Sequence, residues 1–328
     1  MIKVNRRFAI APMMKWTDKH CRYFHRLLSR NTLLYTEMIF AGAIVKGNRK
    51  KLLGHHQKEH PLALQIGGWD ISDLQEATRI GVDYGYDEIN LNLGCPSSRV
   101  KSGRFGAIMM RQPDHVAACL EAMKKVSKNR KITVKCRIGV DDQEPEKELP
   151  KFLEQVIAAG VDGIIIHARK AILRGLSPKM NRTIPELDYD IVLEMKNKFP
   201  MTEIVINGGI DNLNQVNHFL NNGLDGVMIG RAAYHRPFEI LFSADKEVFG
   251  EEHVNRSIRN LLLSFCDYIE TELNKGSKLA NITKPLLGVF NGRPGARSFR
   301  RVLSEKSFKQ GAGPEVLLEA MDFVEIRP

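Results

Sequence analysis

Short apolar or β-branched runs recur along the chain, separated by stretches whose apolar residues return every three or four positions. The runs are Phe8–Pro12, Leu33–Met38, Pro61–Ile66, Asp87–Leu93, Ile132–Ile138, Asp162–Ala168, Glu203–Asn207 and Asp225–Ile229. Between them, stretches such as Asp114–Val126 and Lys151–Ala159 carry apolar residues at helical spacing. Strand then helix, repeated eight times before about Ile240, predicts a parallel sheet, and eight such units close a (β/α)8 TIM barrel.

The strand ends are polar where a plain core strand would be apolar. The first run ends at Pro12, Met13 and Met14, the second carries Glu37, and the third ends at Gln65 and two glycines. The fourth reaches Asn90, Asn92 and then Gly94-Cys95-Pro96, and the fifth carries Lys135 and Arg137. The sixth ends at His167, the seventh at Asn207-Gly208-Gly209, and the eighth at Gly230-Arg231. In a (β/α)8 barrel these C-terminal ends converge on the face where active sites are assembled. A polar side chain in a barrel strand costs desolvation unless something pairs with it. So many polar ends aimed at one place predict a bound polar ligand.

From about Glu251 the character changes to helices alone, which predicts a catalytic barrel over residues 1–240 and a helical unit over 250–328. No apolar run approaches the roughly 20 residues of a membrane span. The N-terminus lacks the pattern of a secretory signal, so a cytoplasmic protein is expected. Five scattered cysteines with no C-x-x-C pair argue against a disulfide framework or a structural zinc site. The formal charge of +11 over 328 residues points instead to a polyanionic partner.

Individual residues sharpen the chemistry. Gly208, Gly209 and Gly230 follow the last two strands, where this fold usually binds phosphate, and Arg231 adds a charge. Lys135 and His167, with Gln65 across the barrel, suit the polar edges of a flavin ring, the cation stabilising the reduced form. No G-x-G-x-x-G follows a strand, which favours FMN over FAD. Cys95 lies on a glycine-rich loop among Arg99, Lys101 and Arg104, and a thiol of free pKa ~8.5 is protonated at neutral pH and can donate that proton. Cys21, Cys119, Cys136 and Cys266 read as structural.

Basic residues cluster three times. One group runs from Lys46 to Lys58 and includes His55 and His56; these two and His60 read as RNA-facing or solvated rather than metal-binding. A second holds Arg169, Lys170, Arg174, Lys179 and Arg182, and a third, in the helical unit, centres on Arg297, Arg300 and Arg301. Basic surfaces beside an active-site mouth suit a site that tracks an RNA backbone.

The segments APMMKWTDKHCRYFHRLLS, ALQIGG, YDEINLNLGCPSSRVKSGRFGA, VKCRIGVDD, HARKAILRGLSPKMNRTIPELDY, INGGI and IGRAAYH resemble the tRNA-dihydrouridine synthases of the A subfamily. The resemblance runs from about Phe8 to Glu305. It implies an FMN barrel with NADPH as reductant, a helical domain that holds tRNA, and reduction of D-loop uridines U20 and U20a. It assigns FMN contacts to Pro12, Met13, Met14, Gln65, Lys135, His167, Asn207, Gly208, Gly209, Gly230 and Arg231. It makes Cys95 the proton donor, sets Asn92 against the uracil, and gives Arg297 and Arg300 a part in choosing the uridine; Lys170 and Arg174 join the tRNA side. Neither a membrane nor an obligate protein partner is implied. Lys15, Trp69 and Ile172 depart from the family pattern. Two other readings fit some of these residues: a flavin barrel acting on a small pyrimidine, and an RNA-binding barrel without catalysis.

Overall fold

Alternation along each strand sorts the apolar residues into two sets, one inside a closed sheet and one beneath helices. The structure, a computed structural model, describes residues 4–97, 103–251 and 257–325. In chain order its elements are β1 (Phe8–Ile10), α1 (Lys19–Leu28), β2 (Leu34–Tyr35), β3 (Ile39–Phe40), α2 (Ala41–Lys46), α3 (Arg49–Leu53), β4 (Leu62–Gly67) and α4 (Ile71–Asp83). There follow β5 (Glu88–Leu93), α5 (Pro113–Lys125), β6 (Lys131–Arg137), α6 (Pro145–Ala158), β7 (Gly163–His167), α7 (Asp190–Lys198), β8 (Ile204–Asn207), α8 (Leu213–Asn221) and β9 (Gly226–Ile229). The chain ends with α9 (Arg231–His235), α10 (Ala244–Glu247), α11 (Ile258–Asn274), α12 (Leu279–Thr283), α13 (Ala296–Lys306) and α14 (Glu315–Met321).

The strands pair in parallel in the order β1-β9-β8-β7-β6-β5-β4-β2, with β3 added beside β4. A parallel bridge between Ala9 and Leu33 joins the two ends, so the sheet closes into the expected barrel. Ala9, Ala11, Leu33, Tyr35, Ala63, Ile165, Val205 and Met228 form the inner core. Ile164, Ile166, Ile204, Ile206, Val227 and Ile229, the alternate positions, pack outward under the helices. No helix among the described residues is long and apolar enough to cross a membrane.

Two elements differ from expectation for local reasons. The run Leu33–Met38 is not one strand, because the Thr36 hydroxyl takes the backbone N–H of Gln65 at 3.0 Å in place of a carbonyl. The helix expected from Lys151 begins six residues earlier at Pro145. Proline suits a first helical position, and Glu146 and Glu148 suit the positive end of the helix dipole. That opening turn carries no apolar stripe, which hid it from the periodicity.

The C-terminal helices dock on α1 through aromatic rings. Tyr23 stacks on Tyr268 at 3.8 Å, Phe24 meets Phe265 edge-on at 5.5 Å, and Phe238 touches Phe290 at 5.6 Å. One hydrophobic core therefore runs from the barrel into the helices. Phe265 is fully buried there. Phe265→Ala should cost about 3–5 kcal/mol, the usual range for deleting a core aromatic ring. Urea unfolding followed by circular dichroism checks this: the midpoint should fall in a single transition.

Candidate active site

Period-two spacing puts Glu88, Asn90 and Asn92 of β5 on one face, and their side chains bond across β4 and β6. The Glu88 carboxylate, fully buried, accepts from Arg6 Nε at 2.7 Å, from the Tyr35 hydroxyl at 2.6 Å and from the Thr133 hydroxyl. Thr133 Oγ1 accepts from Asn90 Nδ2 at 2.9 Å, and Asn90 Oδ1 accepts from Gln65 Nε2 at 2.8 Å. Gln65 Oε1 accepts from Asn92 Nδ2 at 2.8 Å. Asn92 Oδ1 in turn accepts the backbone N–H groups of Gly94 at 3.2 Å and Cys95 at 3.0 Å. Polar side chains thus run without a break from the barrel floor to the cysteine loop.

Lys135 lies level with Asn92, and His167 level with Arg137 and Asn207. The Lys135 ammonium donates to Asn207 Oδ1 at 2.8 Å, while Asn207 Nδ2 donates to the carbonyl of Met228. Burial, reinforced by the Arg137 charge, pushes the Lys135 amine down to about 7. Burial, and then the surrounding cations Arg137, Lys135, Arg169 and Arg231, hold His167 well below its ordinary value, so its ring is neutral. The His167 imidazole makes no hydrogen bond among the described residues. Gly208 and Gly209 adopt φ of +117° and +72°. A Cβ on Gly208 would sit 2.8 Å from the His167 ring, and one on Gly209 would sit 2.5 Å from Leu187. Only glycine serves at these two positions. The backbone N–H groups of Gly208, Gly209, Gly230 and Arg231 find no acceptor among the described residues.

Cys95 is half-buried, and its loop is held from below by Arg137. That guanidinium donates to the carbonyl of Gly94 at 3.1 Å, of Lys170 at 3.2 Å and of Asn181 at 3.0 Å. It thereby ties the cysteine loop to the basic loop after β7. Asn181, fully buried, braces that basic loop through the backbone of Ile172, Leu176 and Ser177. Arg137, Asn181 and Thr133 were not singled out for these roles by sequence, although the polar alternation along β6 marked the first. Arg99 and Lys101 lie outside the described residues, and Arg104 is exposed.

Pro12, Met13 and Met14 follow β1, with Met13 Sδ beside Gly230 and Met14 exposed. Lys15 sits at φ +64° with its N–H on the Glu37 carboxylate, and its carbonyl accepts from Lys284 of the helical unit at 2.6 Å. Trp69 stacks on His115 at 3.9 Å. Arg174 is exposed, and Lys170 and Ile172 line a cavity of about 460 Å³ beside the basic loop. Arg297, Arg300 and Arg301 border a groove of about 340 Å³ on α13. Arg300 donates to Asn291 at 3.0 Å, and Asn291 donates to the carbonyl of His235 at 2.7 Å, which joins α13 to the segment after β9.

The histidines between α3 and β4, read from the sequence as RNA-facing or solvated, are partly buried and bonded within the protein. His60 pairs with Asp87 at 2.6 Å, His55 packs on Tyr86 at 4.6 Å, and His56 caps the turn at Gln57–Glu59. They secure the N-terminal end of β4, opposite the candidate site.

A model of the family described as dihydrouridine synthase (Dus) matches residues 9–325. The chain belongs to the dihydrouridine synthase family. It is 48% identical to a tRNA-dihydrouridine(20/20a) synthase of Shewanella oneidensis, over 98% of this chain and 95% of that one. It is also 48% identical to the protein of that name from Escherichia coli K12, over 97% and 91% of the two chains. Among solved structures, the old yellow enzyme homologue from Zymomonas mobilis superposes with a TM-score of 0.55 over 78% of this chain and 91% of that one, at 10% identity. Morphinone reductase does so with a TM-score of 0.53 over 78% and 88% of the two chains, at 11% identity. These two likenesses show the barrel fold.

For a dihydrouridine synthase, a flavin with one phosphate fits the residues present. Unpaired N–H groups and Arg231 supply donors to a phosphate, while Lys135 and the unpartnered His167 supply polar contacts at ring level. Lys135 also yields a titration. Its unfolded value is 10.5 and its folded value about 7, so between them the unfolded chain holds a proton that the folded chain has released. Stability of the flavin-free protein should therefore rise with pH across that window. Urea midpoints at several pH values from 6 to 8.5 should rise more steeply in the wild type than in Lys135→Met, which lacks the titrating amine.

Proposed function

We propose that this chain reduces the C5–C6 bond of uridines U20 and U20a in the tRNA D-loop to 5,6-dihydrouridine, with FMN as prosthetic group and NADPH as reductant. The observation that carries the reading is the pairing of two features on one barrel face. A partly buried thiol, Cys95, sits on a braced loop beside Gly94, which packs against the backbone of β6 at Lys135 and Cys136, and the buried Lys135 amine lies on the same barrel face. Relatives 48% identical over nearly the whole chain, named tRNA-dihydrouridine(20/20a) synthases, support the substrate.

When bound, an FMN reduced by NADPH would supply the hydride that adds to C6 of the uracil. The chain supplies the rest. Pro12, Met13, Met14, Gln65, Lys135, His167, Asn207, Gly208, Gly209, Gly230 and Arg231 would hold the flavin, the last four as donors to its phosphate. As the C5–C6 π bond opens, its electron pair takes a proton from Cys95 Sγ at C5, and solvent restores the thiol. Asn92 presents its remaining N–H beside the base. Such donors and acceptors act by geometry: a rigid pocket converts the encounter into an intramolecular step. A base already unstacked in a loop enters that pocket at low cost.

Residues 1–240 form the catalytic unit in this reading, and residues 250–328, with Lys170 and Arg174 across the mouth, hold the tRNA backbone. Arg297 and Arg300 grip phosphate or a base edge with a planar fork that lysine lacks.

Two experiments test the reading. Cys95→Ala should retain FMN and NADPH oxidation while product formation falls by ~10²–10⁴-fold, the usual share of proton donation. Mass spectrometry of the tRNA nucleosides measures it, and normal dihydrouridine from the variant would remove Cys95 from the chemistry. Arg297→Ala with Arg300→Ala should weaken tRNA binding and reduce the slope of log affinity against log salt by about 1–2. Anaerobic flavin reduction should be unchanged, so a titration at several salt concentrations separates docking from catalysis.

A further inference from the structure

The ladder between Glu88 and the cysteine loop has two ends of fixed chemical sense. At the floor stands a carboxylate bonded by the Arg6 guanidinium, with Nε and Nη2 both 2.7 Å from Oε2. A carboxylate only accepts, and the guanidinium keeps its proton. At the mouth stand two backbone N–H groups, which only donate. Every group between them, a hydroxyl and three amides, could be turned either way in isolation.

We infer that the charge of Glu88 dictates the direction of every bond in this ladder, and that Glu88, Thr133 and Asn90 are positioning residues for Cys95. Thr133 has one hydroxyl proton, and Glu88 takes it, so Thr133 must accept from the Asn90 amide nitrogen. Asn90 then turns its oxygen to Gln65, Gln65 turns its oxygen to Asn92, and Asn92 turns its oxygen to Gly94 and Cys95. One reversed link would turn an NH2 group toward the two backbone N–H groups and release the loop. The same logic sets what the amides have left. The oxygens of Gln65 and Asn92 are both engaged, while each nitrogen keeps one N–H, so this part of the barrel offers a ligand mainly donors. With the function proposed above, those donors suit the carbonyl oxygens of a uracil or a flavin.

The buried groups are isosteric with simple replacements. In Glu88→Gln the Arg6 cation claims the amide oxygen, leaving an NH2 group facing Tyr35 and Thr133, so the Thr133 proton loses its fixed acceptor and the ladder its fixed sense. Thr133→Val breaks it without touching the Arg6–Glu88 pair, and Thr133→Ser restores the hydroxyl. Amide hydrogen exchange of the full-length, flavin-containing protein reads the outcome directly. Exchange at Gly94 and Cys95 should rise roughly tenfold in Glu88→Gln and Thr133→Val, in keeping with the loss of bonds worth about 1 kcal/mol each. Iodoacetamide should modify Cys95 faster in the same variants relative to Cys266, the other half-exposed thiol. Thr133→Ser should match the wild type in both.

Amides of Ile164–Ile166 in β7 provide the control, since no ladder member lies on that strand. Faster exchange at Gly94 and Cys95 with unchanged exchange in β7 supports the positioning role. Equal acceleration in both places would reduce Glu88 and Thr133 to general stability and overturn it, as would wild-type exchange at Gly94 and Cys95 in Thr133→Val. These readouts do not depend on the substrate, so a failure of the proposed uridine reduction would leave them interpretable.

Discussion

A carboxylate enclosed in a barrel of hydrocarbon has to be matched by donors, and the match at Glu88 organises much of what lies above it. Its three partners come from three separate segments: Arg6 before β1, Tyr35 on β2 and Thr133 on β6. Burial and the nearby carboxylate raise the Tyr35 phenol well above its ordinary value, which keeps it a donor. Such an arrangement is poor evidence of net stability, because desolvating the charges offsets most of their attraction. Its effect is on register. A slip of one residue in β5 would turn Glu88, Asn90 and Asn92 outward among the helices and leave Arg6 facing an apolar floor.

Above the ladder the electrostatics change sign. Arg137 is sealed beneath the mouth with three carbonyls and no carboxylate as partners. Arg182 is pushed down by burial and then by Arg231, and Arg169 is pushed down by burial and Arg231 against the opposing Tyr189. Cations that lower one another's proton affinity are held together against repulsion by the fold, and an anionic ligand would relieve that repulsion. The barrel thus carries a buried acid, Glu88, at the floor and cations at the rim. A phosphate-bearing ligand would be drawn to the rim rather than the floor.

Much of this was legible in the sequence because barrel strands write their two faces in alternation. Ile165 with His167, Val205 with Asn207, and Met228 with Gly230 each place an inner apolar residue two positions before a polar or glycine tip. The strand ends could be read as one site for that reason. The partners of those residues were not legible, because they depend on which strands adjoin and at what height. Asn92 and Gln65 read as ligand contacts, yet each also spends its amide oxygen inside the protein. Arg6, outside any strand, gave no periodic signal. The pairing of His60 with Asp87 was hidden because a basic run looks alike whether it faces solvent or locks a strand entry.

The aromatic seam between α1 and α11 shows what the sequence left hidden about how the helices join the barrel. Helical periodicity from about Glu251 predicts a separate helical unit, but rings such as Tyr23 and Phe265 look like ordinary core residues within their own helices. Their pairing is a tertiary fact. It matters for chemistry because α13 reaches the segment after β9 through Arg300, Asn291 and His235, while Lys284 holds the loop after β1. Both of those loops border the site, with Met13 against Gly230. The basic surface of α13 is consequently braced on the two loops that flank the candidate phosphate site. That surface and the candidate site share a frame because the hydrophobic core is continuous beneath them.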